Sequence, residues 1–226
     1  MQNIFIHGLE QNSSSWDKTI SFMPKSAHIF CPDLFAILNH KETTYSNLYR
    51  AFSDYCNDIS GKLNLCGLSL GGVLALNYAI DYPTRLQSLV LIAAQYKMPR
   101  TLLKFQNILF HFMPKSTFEK QGFQKKDIMQ LTNSMIELDF SKNLCDISCP
   151  TLIVCGEKDK ANKKAAKNLV ENIPNANFHL VEDTGHEVNI EAPEKLATIL
   201  HAFWQEYEQY ERSILLSDLK KNAASV

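Results

Sequence analysis

The chain has 226 residues, of which 45% are hydrophobic and 21% charged, with a formal net charge of −1. That length suits one α/β domain with an insertion and a large buried core, and the small net charge leaves no global field to favour nucleic acid or an anionic membrane. No segment approaches the roughly 18 apolar residues of a membrane span, and Met1–Gly8 lacks the basic and apolar regions of a signal peptide, so a cytoplasmic protein is expected.

Taken in order, Asn3–Ile6 reads as a short buried strand opening into a polar loop, Gly8 to Ser15. Trp16–Phe22 is a short helix, and His28–Cys31 a second strand ended by Pro32. Between Ser46 and Ile59 the apolar residues Leu48, Tyr49, Phe52, Tyr55, Cys56 and Ile59 recur at helical spacing. Leu63–Cys66 is the next strand. The helix after it is expected to bury Leu70, Val73, Leu74, Asn77 and Ile80 along one side, with Pro83 past its end. Leu86–Ala93 is a continuous β-rich run, as in a strand covered on both faces.

Residues 95–146 break the alternation, with helical patterns over Thr101–Met113 and Lys125–Ser141. Strand Thr151–Cys155, helix Ala161–Asn172, strand Asn177–Val181 and a helix from Pro193 follow, and residues 213–226 form a polar-ended tail with room for one or two more helical turns. Strands alternating with helices imply a parallel sheet. The expected organisation is therefore a core of residues 1–94 and 147–212 with a helical cap inserted at 95–146.

Six cysteines (Cys31, Cys56, Cys66, Cys145, Cys149 and Cys155) occur without a secretion signal, in a chain large enough not to need staples. They are expected to be reduced and structural. Cys145-x3-Cys149 has no second ligand pair, so no metal is expected, and no cofactor motif is present.

Gly67-Leu68-Ser69-Leu70-Gly71 stands between a strand and a helix. G-x-S-x-G in that setting is a nucleophile elbow, with the serine hydroxyl exposed at the carboxyl edge of the sheet. The two glycines are expected to supply the tight turn. The pentapeptide alone arises by chance in roughly one such chain in ten, so its partners decide its meaning. A serine hydroxyl needs a base, and the base an orienting acid. Of seven histidines, His186 lies in Asp183-Thr184-Gly185-His186-Glu187, a loop after the last strand. His7, His28 and His179 belong to strands or their ends, where packing or hydrogen bonding accounts for them, and His40, His111 and His201 have no supporting motif. Asp159, in Gly156-Glu157-Lys158-Asp159 directly after a strand, is the expected acid. Glu157, Glu182 and Asp183 are its competitors. Backbone N–H groups of Leu70, at a helix N-terminus, and of Leu9, turned inward by Gly8, are expected to face a developing oxyanion.

With these pieces in place the chain resembles the α/β-hydrolase superfamily from residue 3 to about 207. The matching segments are Ile6-His7-Gly8-Leu9 with Trp16, Gly67-Leu68-Ser69-Leu70-Gly71-Gly72, Gly156-Glu157-Lys158-Asp159, and Gly185-His186 with Glu191-Ala192-Pro193-Glu194. The resemblance implies a serine esterase mechanism: an acyl-enzyme at Ser69, hydrolysed by water activated through His186. Family members usually carry one or two strands before the His-Gly strand, so a reduced, mostly parallel sheet of about six strands is expected. The family's Asp-x-Pro-Gly-x-Gly turn is replaced by Pro32-Asp33-Leu34-Phe35-Ala36, which predicts a differently shaped loop.

Within the insertion, Met98, Phe105 and Phe112 are the expected acyl-pocket residues. Residues 96–126 hold seven Lys or Arg against Glu119, a surplus of +6 on a body of −7. Such a cap would steer an anionic substrate or an acidic acyl carrier protein. A small-molecule acyl ester is the expected substrate. A carrier-protein acyl methyl ester esterase of the biotin-synthesis type, a lyase resembling the menaquinone-pathway synthase, and a non-catalytic binding protein on the same fold are the alternatives.

Overall fold

The computed structural model describes residues 2–100 and 124–223. Six strands, β1 (Gln2–Ile6), β2 (His28–Phe30), β3 (Leu63–Leu68), β4 (Leu86–Ile92), β5 (Thr151–Gly156) and β6 (Ala176–Val181), form one sheet in the order β2-β1-β3-β4-β5-β6. Every pairing is parallel. Parallel strands need crossovers, and these supply the helices that cover both faces.

On one face pack α2 (Leu34–Ile37), α3 (Tyr45–Asp58), α4 (Leu70–Asp81) and α6 (Lys163–Asn172), which bury Leu34, Leu48, Phe52, Leu74 and Leu169. On the other lie α1 (Asp17–Ser21), α7 (Val188–Glu191) and the 31-residue α8 (Pro193–Ala223), with Trp16, Leu196, Leu200, Phe203 and Trp204 inward. The remaining described helix, α5 (Lys125–Met135), sits over the carboxyl ends of the strands, where Ile128 packs with Leu9 and Phe35.

β3, β4 and β5 are almost wholly buried, as their unbroken apolar runs require. The edge strand β6 instead leaves Phe178 47% and Leu180 38% exposed. A polar ladder crosses the lower part of the sheet on the α8 side. Asn64 Nδ2 donates to Asn3 Oδ1 at 2.9 Å, Ser88 Oγ to Asn64 Oδ1 at 2.7 Å, and Trp204 Nε1 to Ser88 Oγ at 3.1 Å. All four residues are buried. Ser88→Ala is expected to lower the unfolding free energy by about 2 kcal/mol in urea titrations, because Trp204 Nε1–H then loses its acceptor in the interior.

Several boundaries differ from expectation. The helical pattern read over Lys125–Ser141 stops at Met135. Beyond it the chain pairs with the segment leaving β4: Met98 N–H donates to Leu138 O at 3.0 Å and Phe140 N–H to Tyr96 O at 2.8 Å. Residues 96–98 and 138–140 thus run side by side in a short antiparallel neck. The tail from Ser213, read with room for one or two helical turns, is helical further and continues α8 to Ala223, since no Gly or Pro interrupts residues 194–223. The helix α4 is buried around most of its circumference, with Ala75, Leu76, Tyr78 and Ala79 inside as well, whereas Asn77 and Ile80 are half-buried. The helix Thr101–Met113 lies outside the described residues. Among those described, no helix is long and apolar enough to cross a membrane.

Candidate functional site

The chain runs from β1 outward to β2 and returns to β3 on the other side of β1. The loops leaving β1 and β3 therefore diverge, and the crevice between them is where open α/β sheets place ligands. Register brings the carboxyl ends level: Ile6 pairs with Gly67, Leu68 with Ile92, and Gly156 with Val181. Ser69, Asp159 and His186 all follow these ends.

Ser69 occupies the sharp turn between β3 and α4 at φ 53° and ψ −113°, a conformation costly for a residue with a Cβ. Its N–H is held by Ile92 O at 2.9 Å. The strain thus sits on the serine, and neither motif glycine takes a positive φ, contrary to the expectation that they supply the turn. Their role is close approach. A Cβ on Gly67 would lie 2.3 Å from Gly71 O, and one on Gly71 would lie 2.2 Å from Ile6 O.

Gly8 likewise has no positive φ; the turn is made by Glu10 at φ 63°. A Cβ on Gly8 would stand 2.9 Å from Leu68 Cδ2 and 3.6 Å from Ser69 Cβ, so the loop lies against the elbow. Leu70 opens α4, so its N–H has no intrahelical acceptor. Leu9 N–H makes no backbone hydrogen bond among the described residues. The Leu9 side chain packs on Ile128, so it anchors the loop although any donor role belongs to the main chain.

The loops carrying Asp159 and His186 are in contact. A Cβ on Gly156 would fall 2.0 Å from Gly185 O, and Lys158 N–H donates to Thr184 O at 2.7 Å. From α7, Glu191 accepts Gly185 N–H at 2.7 Å and Glu187 N–H at 3.2 Å, pinning the backbone on both sides of His186. Asp159 is buried and accepts from His186 Nδ1 at 2.9 Å, through Oδ2. Burial pushes its carboxyl up, but hydrogen bonds from His186 and Asn162 outweigh this and hold it below the ordinary aspartate value. Among its competitors, Glu157 accepts Asp183 N–H at 3.0 Å and Asp183 pairs with Lys158 at 3.4 Å, both exposed.

Ser69 and His186 line one cleft of about 500 Å³. No hydrogen bond joins Ser69 Oγ to His186 among the described residues. Leu9, Leu70, Val73, Met98 and Met135 give the cleft an apolar wall, and Glu10, Gln95, Asn162 and Glu187 a polar rim. Of the expected acyl-pocket residues, Met98 lines this cleft, whereas Phe105 and Phe112 lie outside the described residues. Burial, then the charge of Glu187, raises the Glu10 carboxyl above its usual range.

Val73, Gln95 and Asn162 were missed by sequence reasoning. Val73, one turn after Ser69 in α4, reads as core alone, and Asn162, three residues after Asp159, falls within the helical pattern that starts at Ala161. Asn162 N–H donates to Asp159 Oδ1 at 3.2 Å, and its side chain reaches both carboxylate oxygens. The helix therefore begins at Lys163 rather than Ala161.

His7 has the structural role expected of it. Its Nδ1 faces Gly8 O at 2.8 Å and its Nε2 accepts Leu34 N–H at 3.0 Å, which fixes a neutral ring protonated at Nδ1. Burial lowers its pKa in keeping with this. In the loop that replaces the family turn, Asp33 caps α2 by accepting Phe35 and Ala36 N–H groups at 3.1 and 3.0 Å. Of the basic cap residues, Lys97 pairs with Asp139 at 2.6 Å and Arg100 with Glu137, acids beyond the window in which the surplus was counted. Lys104, Lys115 and Lys120 lie outside the described residues. No group of three or more His, Cys, Asp or Glu is placed to hold a metal among those described.

Comparison with known proteins agrees with this architecture. The chain is 25% identical over 252 residues to monoacylglycerol lipase ABHD6 of Bos taurus, covering 88% of this chain and 74% of that one. It is 23% identical over 242 residues to lipase 1 of Psychrobacter immobilis, covering 88% and 75%. Among solved structures, MenH from S. aureus matches with a TM-score of 0.77 at 18% identity, over 92% of this chain and 94% of that chain. A thermophilic esterase from Thermogutta terrifontis matches with a TM-score of 0.72 at 20% identity, over 92% and 90%. The model of the alpha/beta hydrolase family matches residues 4–199. Fold, motif order and family model agree, and the chain belongs to the α/β-hydrolase family of enzymes.

Proposed function

We propose that the protein hydrolyses carboxylic esters through Ser69, His186 and Asp159. The observation that carries this reading is the strained Ser69 elbow in one cleft with a histidine bound to a buried carboxylate at 2.9 Å. Asp159 holds the Nδ1 proton and leaves Nε2 free to take the Ser69 proton as Oγ attacks the ester carbonyl. The N–H groups of Leu9 and Leu70 stabilise the resulting oxyanion. Collapse expels the alcohol, protonated by His186, and leaves an acyl-enzyme. Water then gives its proton to His186 and releases the acid, restoring Ser69.

The apolar wall suits an acyl chain, and the acidic rim of Glu10 and Glu187 suits a neutral, hydroxylated leaving group better than an anionic one. Relatives named as monoacylglycerol lipases and lipases support esters of that kind. A carrier-protein acyl methyl ester belongs to the same reaction class, with the carrier docking on basic residues of the insertion.

A fluorophosphonate probe is expected to label the wild type at Ser69. A panel of p-nitrophenyl esters of graded acyl length, a monoacylglycerol and an acyl-carrier methyl ester is expected to show ester turnover that depends on chain length. Absence of both labelling and turnover, where a related esterase gives both, would overturn the proposal. Salt-dependent preference for the carrier ester would assign the substrate to that class.

A further inference from the structure

Asn162 sits where a second donor meets the acid of the site, and Gln95 decides how it is turned. Asn162 Nδ2 lies 3.0 Å from Asp159 Oδ1, 2.8 Å from Asp159 Oδ2 and 3.1 Å from His186 Nδ1. On its other side, Asn162 Oδ1 accepts from Gln95 Nε2 at 2.7 Å. An amide is planar, with acceptor and donors at opposite edges. Gln95 Nε2 also faces Ala161 O at 3.5 Å, an acceptor that keeps its donor edge on this side, and a donor there turns the Asn162 NH2 toward Asp159. Since His186 Nδ1–H already donates to Oδ2, the Nδ2 to Nδ1 contact is the approach of two donors to one carboxylate.

We propose that Gln95 and Asn162 are positioning residues forming an amide relay that sets how strongly Asp159 holds the His186 ring, by sharing its carboxylate with it. The inference rests on the proposed role of the Asp159–His186 pair. A carboxylate that accepts additional hydrogen bonds is a weaker partner for an imidazolium. Asp159 is 6% and Asn162 7% exposed while the His186 side chain is 44% exposed, so the competition is sheltered at the carboxylate and open to water at the ring. The relay sets which edge of Asn162 meets Asp159 beside the His186 hydrogen bond. It also ties the base to the cap, because Gln95 lies between β4 and the neck residues Tyr96 and Met98.

Other charged groups surround His186. Glu187 is on its own loop, Glu191 reaches that loop from α7, Glu10 stands across the cleft on the loop after β1, and α6 opens with Lys163 and Lys164. None of them is altered in the variants below, so their influence is common to all.

The test is the titration of the His186 ring by NMR in the full chain, beside the pH profile of kcat/KM on a p-nitrophenyl ester. Asn162→Ala is expected to raise the His186 midpoint by about one pH unit, with the acid limb of the profile following it. Gln95→Glu is expected to shift it the same way, since a carboxylate can only accept and turns the Asn162 Oδ1 edge onto Asp159. In the Asn162→Ala background Gln95→Glu should add only the effect of its charge, well below its effect alone. A midpoint unchanged in Asn162→Ala, or shifts that simply add in the double variant, would overturn the relay. Retention of activity in Ser69→Ala would instead overturn the hydrolase reading, and the ring titration would still report on the relay.

Discussion

Ser69→Ala is expected to lower kcat/KM for a p-nitrophenyl ester by about 10⁴-fold or more, with no loss of folding stability. The chemistry removed is the whole covalent path, so what persists is the contribution of the oxyanion donors and of binding. His186→Ala should cost a similar factor. The Ser69→Ala/His186→Ala double variant should cost little beyond either single change, because the two groups act in one step. Ser69→Gly separates chemistry from strain. At φ 53° and ψ −113° a glycine relieves a conformational cost of about 1–2 kcal/mol. That variant should be inactive yet more resistant to urea than the wild type. Full activity in Ser69→Ala would place the nucleophile elsewhere; additive losses in the double variant would separate the roles of the two residues.

The fold was legible in this chain because hydrophobic pattern and turn residues agree over most of it. Each strand was located to within two residues, including the short β2, whose end is marked by Pro32. Burial was harder to read. The pattern of α4 suggests a one-sided helix, but the helix packs against β3, β4, β1 and α3, and small residues such as Gly72 and Ala75 let it be enclosed. Gly72 is so close to the chain leaving β4 that a Cβ would stand 2.6 Å from the Ala94 Cβ. At the site, residues marked by a local motif could be read from the sequence as candidates, and residues tied to a tertiary partner could not. Ser69, Asp159 and His186 each follow a strand and lie beside a glycine or an acidic turn. Asn162 carries no comparable mark, because the Gln95 that holds its Oδ1 lies 67 positions earlier. Local pattern also misplaced the end of α5, where Leu138 and Phe140 keep helical periodicity but give their backbone to the neck.

Gly156→Ala is expected to lower the unfolding free energy by about 3 kcal/mol and to abolish ester hydrolysis in the protein that remains folded. The added Cβ would meet Gly185 O at 2.0 Å, Thr184 O at 2.7 Å and Gly185 C at 2.9 Å. These are backbone atoms, so no rotamer change can make room. Nor can the two loops separate freely, since Glu157 N–H is held by Val181 O at 2.9 Å and Lys158 N–H by Thr184 O at 2.7 Å. Relief must come from moving the 183–186 segment away from β5. That motion stretches the hydrogen bond between His186 Nδ1 and Asp159 and pulls the ring from Ser69. Urea denaturation would report the stability loss, and fluorophosphonate labelling of the folded fraction would report the site. A stability drop with unchanged labelling would mean that the loops yield without displacing His186. It would locate the rigidity of the site in the Glu191 clamp on Gly185 and Glu187 rather than in the contact at Gly156.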